Sequence, residues 1–331
     1  MGSLAFLSLL AITAAALSWL LVGIFTLVMT AWRRLDMPNE RSMHSRPVPA
    51  GAGIGVVATA LLLWPWWHAR VDPLHLALLG AFVGLGLLSW ADDHWRLSPA
   101  IRFGAQAAAV VACLLLLPRE ARVLEILPFA LERLLLGLGW LWFINLFNFM
   151  DGIDGLAGSE TIAVALGYLA CVAVAGLDAP FARLALVIAA SAAGYLFWNW
   201  HPAMVFMGDA GAIPLGFLLG WLMLDLALAG QWSAGVILPL CFVADATLTL
   251  LARARMGERL WQAHRLHFYQ RAVLGGAVPS AVVWRIGWAN ALLIALALLS
   301  LRHPLPALLA AAALVAGLLV HLEHLARRRP S

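Results

Sequence analysis

The stretch from Phe129 to Leu156, FALERLLLGLGWLWFINLFNFMDGIDGL, decides how the chain is read. A helix that crosses a bilayer needs about 20 mainly apolar residues, and residues 129–149 supply that length. Asn145, Asn148, Asp151 and Asp154 then recur at every third position across its end. Residues three apart share a helix face, so Asn145 and Asn148 are expected to face the bundle interior. Two amides facing lipid in register would be costly, which points to a functional face. Gly152 and Gly155 allow the backbone to turn and bring Asp151 and Asp154 back toward that face. The plainer reading is a helix end followed by an Asp-Gly turn. The run is not an EF-hand loop, because the later ligands and the closing Glu are missing.

The same apolar character extends along the whole chain. Its 331 residues are 63% hydrophobic and 11% charged, with mean hydropathy +0.91. Soluble domains carry roughly a quarter of their residues as charged side chains. The expected fold is therefore all-α, one polytopic membrane bundle over residues 1–331 with about 11 transmembrane helices. Spans are expected near 4–30, 53–68, 74–91, 103–118, 129–149, 157–177, 182–200, 212–230, 235–252, 279–300 and 305–325. Nothing basic precedes the first of these, so it is read as a retained helix rather than a cleaved signal.

Alternation then puts the N-terminus outside, with loops 31–52, 92–102, 150–156, 201–211 and 253–278 and the C-terminus in the cytoplasm. All 21 basic residues are arginines, and 14 of them fall on that inner side. This excess agrees with the positive-inside rule. Basic residues cluster in a few loops and do not alternate with aromatics, so the net charge of +4 reports membrane orientation and not nucleic-acid binding. Cys113, Cys171 and Cys241 sit within apolar runs and read as buried small hydrophobes, not as a disulfide framework.

Four further polar segments fall on the inner side. Asp92 and Asp93 end the third span. Adjacent carboxylates repel, so one holds its proton more tightly unless a cation lies between; a polar helix end explains the pair equally well. Phe206-Met-Gly-Asp209-Ala-Gly211 follows Asn199. Asp209 reads as a helix N-cap, and a carboxylate there also suits a metal–phosphate site. Phe206 offers a ring on which a nucleobase could stack. Residues 253–271 hold five arginines around His264-Arg265-Leu-His267, a set better suited to a diphosphate than to zinc. The remaining segment opens the first inner loop, Asp36-Met-Pro-Asn-Glu-Arg-Ser-Met-His44, followed by the stretch from Pro47 to Gly55. Asp225 is expected near the outer interface. Asp245 lies deeper, where it would orient the basic loop.

Taken in chain order, the five segments resemble the polyprenyl-phosphate N-acetylhexosamine-1-phosphate transferases, the MraY/WecA group. The resemblance spans nearly the whole chain. It implies transfer of a sugar-1-phosphate from a UDP-sugar to undecaprenyl phosphate at the cytoplasmic face of the bacterial inner membrane. By the same resemblance, Asp92 and Asp93 receive the proton of the lipid phosphate and Asp151 supports catalysis. Asn148 and Asp209 would hold Mg²⁺, with Mn²⁺ the other fitting ion. Substrate contacts fall to Asn145, Asp154, Asn199 and Phe206 on the uridine side and to His264, Arg265 and His267 around the diphosphate. The implied partners are a UDP-N-acetylhexosamine, undecaprenyl phosphate and membrane lipids, with a homodimer left open.

Three departures from the family pattern stand out. Ala50 and Ala52 dilute the glycine-rich start of the second span. Ala212 replaces a small polar residue. The consecutive histidines of the peptidoglycan-precursor enzymes are missing, which favours the O-antigen or exopolysaccharide branch. The rival reading is a lipid or sugar transporter, but that class would want ionisable residues near mid-membrane at broken helices.

Overall fold

The computed structural model describes residues 3–38, 42–67, 72–95, 97–259, 262 and 264–327, leaving out the side chains of Asp93 and His94. Helices account for the regular structure: α1 (Leu4–Ala31), α2 (Gly53–Leu62), α3 (Trp64–Trp67), α4 (Pro73–Trp95), α5 (Pro99–Leu115), α6 (Phe129–Phe149) and α7 (Leu156–Ala175) in the first half. The second half adds α8 (Ala182–Asn199), α9 (Asp209–Leu226), α10 (Trp232–Ile237), α11 (Leu240–Arg255), α12 (Phe268–Leu274), α13 (Pro279–Ser300) and α14 (Pro304–Ala326). No strand forms among the described residues; two isolated bridges, Asp36 with Val48 and Ala50 with Phe206, are the nearest approach.

Among the described residues, eight helical stretches are long and apolar enough to cross a membrane, and α2 and α5 are shorter apolar helices. A polytopic helical membrane protein is thus what the chain forms. Each of the eleven expected spans falls on a helix, but the second, fourth and ninth fall on helices of 10, 17 and 16 residues. The expected break between 230 and 235 falls where helical geometry lapses, at the turn Ala227–Gln231 between α9 and α10. Gly230, at φ 83°, absorbs the bend.

The centre of the bundle is α9. Its residues from Ala210 to Leu224 are all buried, as expected of a helix that is apolar on every side. It packs on α2, α4, α6, α7 and α10, while α1 lies against α2 and α8. Polar side chains inside the bundle meet across helices. Tyr168 donates to Asp225 at 2.5 Å, Asn290 Nδ2 to Glu160 at 2.6 Å, and Trp140 Nε1 to the Phe217 carbonyl at 2.8 Å. Such bonds replace the water that a membrane interior lacks. The three cysteines are buried and free.

The direction of the chain positions the site. The C-terminal ends of α4, α6 and α8 and the N-terminal ends of α2, α5, α7 and α9 carry the polar segments, and the contacts below bring them to one end of the bundle.

Candidate active site

At the end of α6 the chain turns through Met150–Gly155 and re-enters the bundle as α7. Gly155 makes the turn in the left-handed region, at φ 82°. Gly152 serves a different purpose from the turn expected of it. A Cβ there would lie 2.1 Å from the Tyr269 hydroxyl, so it is close approach of α12 that excludes a side chain. Asn199 fixes the turn from α8, accepting from the Gly155 amide at 2.8 Å and donating to the Val205 carbonyl at 2.8 Å. Asp154 accepts from the Ala203 amide at 3.0 Å and meets His201 Nδ1 at 2.6 Å.

The start of α9 corrects one expectation. Asp209 is the first helical residue and not the N-cap. Gly208 occupies the cap at φ 69°, with no side-chain capping bond. The Asp209 carboxylate is therefore free of the helix end and lies in its first turn, where negative charge is favoured. Behind it, α9 touches α2 backbone to backbone. A Cβ on Gly211 would sit 2.4 Å from Gly53 Cα. Gly→Ala in a helix ordinarily gains about 0.5–1 kcal/mol, whereas overpacking of this kind costs about 1–3 kcal/mol. With backbone on both sides, the cost should win. Gly211→Ala is expected to lower the melting temperature and to reduce turnover at least tenfold by displacing Asp209. A variant matching the parent in both would show that the helices part freely.

These elements enclose a cavity of about 760 Å³ whose lining includes Asn148, Asp151, Asp154, Asn199, Phe206 and Asp209. The Asn148 amide donates to Asp209. Asp151 accepts from the Gly208 amide, yet its carboxyl is pushed up to about 7, first by burial and then by the charges of Asp209 and Asp154. A carboxyl in that range can take or release a proton near neutrality. Arg102, on α5, spans two of the acids: its Nη1 is 3.1 Å from Asp92 and 3.5 Å from Asp209. The side chain of Asp93 lies outside the described residues.

A second hollow, about 540 Å³, runs along α5 and α6 and shares Asn148 as a wall with the first. Arg102, Phe103, Gln106, Asn145 and Phe149 line it. Asn145 therefore does not reach the carboxylate cavity. Its amide donates to Gln106 at 2.8 Å and to the Leu141 carbonyl at 2.8 Å.

The sequence that builds this acidic cavity has relatives among known proteins. The glycosyl transferase family 4 model matches residues 75–227. A Streptomyces coelicolor protein named as a glycosyltransferase is 36% identical over 295 residues, covering 82% of this chain and 68% of its own. The chain belongs to glycosyl transferase family 4. A Bacillus subtilis protein named as an undecaprenyl-phosphate N-acetylglucosaminyl 1-phosphate transferase is 29% identical, over 77% of this chain and 74% of its own. The decaprenyl-phosphate N-acetylglucosaminephosphotransferase of Mycolicibacterium smegmatis is 27% identical, over 98% and 90%. This family 4 member is accordingly a membrane glycosyl transferase of the hexosamine-1-phosphate transferase kind.

In the transferase, the basic loop stands apart from the cavity. None of His264, Arg265 and His267 is among the cavity's lining residues. Arg265 Nη1 donates to the Ser42 carbonyl at 3.4 Å, and Ser42 does line the cavity. Burial, then the neighbouring His267 and Arg253, push His264 down to about 4. Asp245 holds this segment: it accepts from the amides of Phe268 at 3.0 Å and Tyr269 at 3.1 Å and faces His267 Nδ1 at 3.2 Å.

The donor set of the transferase suits a hard divalent cation. Asp151, Asp209 and Asn148 supply oxygens, and the repulsion felt at Asp151 is what a cation would relieve. No group of three His, Cys, Asp or Glu forms a closed metal site among the described residues. Magnesium needs no such cage, since it keeps waters and takes one or two carboxylates plus substrate phosphate. Sequence reasoning missed Arg102, which was counted as one more loop arginine. It also assigned no role to Asp36, Ser42, His44 and Gln270, all of which line the cavity.

Proposed function

We propose that the chain transfers N-acetylhexosamine-1-phosphate from a UDP-sugar to undecaprenyl phosphate, releasing UMP, with its active site facing the cytoplasm of a bacterial inner membrane. The observation that carries this reading is the acidic cavity joined through Asn148 to the hollow along α5 and α6. A charged, water-facing donor fits the first. A lipid phosphate fits the second, with its head toward Arg102 and its chain along Phe103 and Phe149.

A lipid phosphate oxygen attacks the β-phosphorus of the donor. The bond from that phosphorus to the bridging oxygen breaks, and UMP leaves with the oxygen. Any proton remaining on the attacking phosphate passes to a carboxylate, for which Asp92, Asp93 and Asp151 are the candidates. Mg²⁺ held by Asn148 and Asp209 would neutralise charge on the diphosphate. Arg102 holds Asp92 and Asp209 in place and supplies positive charge beside the incoming phosphate. Asp154 and Asn199 shape the turn that carries Asp151. His264, Arg265 and His267 act from behind the first inner loop, through Ser42.

The test is UMP release by purified protein given UDP-N-acetylglucosamine, Mg²⁺ and undecaprenyl phosphate. Release that requires both substrates is expected. A panel of other UDP-sugars identifies the hexosamine, and failure with every one of them would overturn the donor assignment.

A further inference from the structure

The end of the bundle opposite the acidic cavity holds a second kind of hollow, which the transfer reaction does not use. It is a groove of about 600 Å³ where α1 begins and where α7 gives way to α8. The active-site residues lie at the far ends of these last two helices, beside Leu156 and at Asn199. Leu7 and Ala11 of α1 and Leu169 and Val172 of α7 give the groove apolar walls, and Asp178 and Arg183 line it near the end of the bundle. Mainly apolar walls with a few polar groups, in a volume of about 300–1,000 Å³, are what ligand sites have in common.

Both charges in the groove are unspent. Arg183 makes no hydrogen bond or ion pair among the described residues, and its guanidinium lies over the Phe6 ring at 5.4 Å from the centroid. It stands in the first turn of α8, where the helix dipole disfavours a cation. Neither an acid nor the dipole therefore compensates it, in a chain that faces lipid. Asp178 is exposed and equally without an ion-pair partner among the described residues, although it lines the same groove. The two side chains stay too far apart to pair with each other.

A guanidinium and a carboxylate held apart beside an apolar channel match a ligand that carries both charges and an apolar tail. We propose that this groove seats a phospholipid whose headgroup bears a primary ammonium. Its phosphate lies on Arg183, its ammonium on Asp178, and an acyl chain runs between α1 and α7. Arginine suits the phosphate because its planar fork can hold two oxygens at once. Asp178 decides among headgroups. It repels one that is only anionic, and a trimethylated ammonium has no N–H to donate to it, whereas a primary ammonium has three.

The experiment uses the full chain, stripped of co-purified lipid and held in detergent. Dioleoyl-phosphatidylethanolamine, the corresponding phosphatidylcholine and the corresponding phosphatidylglycerol are titrated in separately. Melting temperature and the lipid retained in native mass spectrometry are read for the parent, Arg183→Gln and Asp178→Asn. The ethanolamine lipid is expected to raise the parental melting temperature by several degrees at about a hundredfold above its Kd, with one molecule retained per chain. The choline and glycerol lipids should bind at least about tenfold more weakly, the scale of one hydrogen bond to a charged group. Arg183→Gln should weaken the ethanolamine lipid by a similar factor, and Asp178→Asn should erase its advantage over the glycerol lipid. Retention is scored on folded protein, so a variant that melts lower still reports. Equal effects of all three lipids, or parental retention in Arg183→Gln, would overturn the proposal and leave only boundary lipid in the groove. A dimer that retains no lipid would overturn it as well, giving the groove to a second copy of the chain.

Discussion

Asp209→Asn is expected to abolish sugar-phosphate transfer while leaving the bundle folded. The side chain sits in the first turn of α9, faces the cavity and accepts from the Asn148 amide. Asparagine preserves its shape and one carbonyl oxygen. What it removes is a negative charge, and three neighbours depend on that charge. Arg102 loses one of its two acids and is left with Asp92. Asp151 loses the second largest cause of its raised titration, so it becomes more acidic and a poorer proton acceptor. The hard-cation site keeps one carboxylate fewer, and divalent cations of this kind are bound through only one or two. A single preorganised electrostatic contact at a reacting centre is worth about 10²–10³ in kcat, and here two or three are disturbed at once. A fall of at least about 10³ should result, on the same scale. UMP release and a melting curve in detergent check it together. Turnover near the parental rate, or parental turnover in excess chelator, would sink the assignment of Asp209 to a metal.

Much of this architecture is legible in local sequence, and the reasons differ from element to element. The span at 129–149 coincides with α6 because its apolar run ends at a turn whose residues, Asp-Gly-Ile-Asp-Gly, cannot continue a helix comfortably. The gathering of polar segments at one end follows from hydrophobic spans alternating with polar connections, so no knowledge of packing is needed. By contrast, the close join of α9 to α10 is hidden: Leu226 to Trp232 carries the small residues of a loop, yet only a kink at Gly230 separates the two helices.

Side-chain roles set by distant partners are equally invisible. Asn199 and Asp154 have the composition of ligand-binding residues, yet their hydrogen bonds go to Gly155, Val205 and Ala203 and shape the site. The cap of α9 depends on Gly208 at φ 69°, a backbone state that Asp209 itself does not reveal. Arg102 had one available clue. It lies in the first turns of an apolar helix, four residues before Gln106, where an arginine needs an anion to face. His44 offered no such clue, since it lies in a loop and its contact is with Phe206, 162 positions away in the chain.

The reaction path gives an all-or-none prediction. Labelled UMP should enter UDP-N-acetylhexosamine only when undecaprenyl phosphate or its sugar-linked product is present. A carboxylate nucleophile would instead form a covalent acyl phosphate carrying the sugar on its one phosphorus, release UMP without lipid and allow exchange on its own. The surroundings of the acids argue against that route. Asp92 is committed to Arg102 at 3.1 Å, and an ion-paired carboxylate is a poorer nucleophile. Burial first, and then the charges of Asp209 and Asp154, push the Asp151 carboxyl up to about 7, and the protonated part of it is no nucleophile while the ionised part meets a diphosphate of like charge. A lipid phosphate has no such handicap. Its second pKa is about 6, so it arrives largely deprotonated, and Arg102 stands where the hollow along α5 meets the acids. Since one phosphoanhydride replaces another, the reaction should also run backward readily. The decisive measurement uses enzyme stripped of co-purified lipid, with UDP-N-acetylglucosamine, Mg²⁺ and labelled UMP. No exchange is expected until the lipid phosphate is restored. Robust exchange in the stripped enzyme would exclude direct attack and make a cavity carboxylate, Asp151 first, the site of a covalent intermediate.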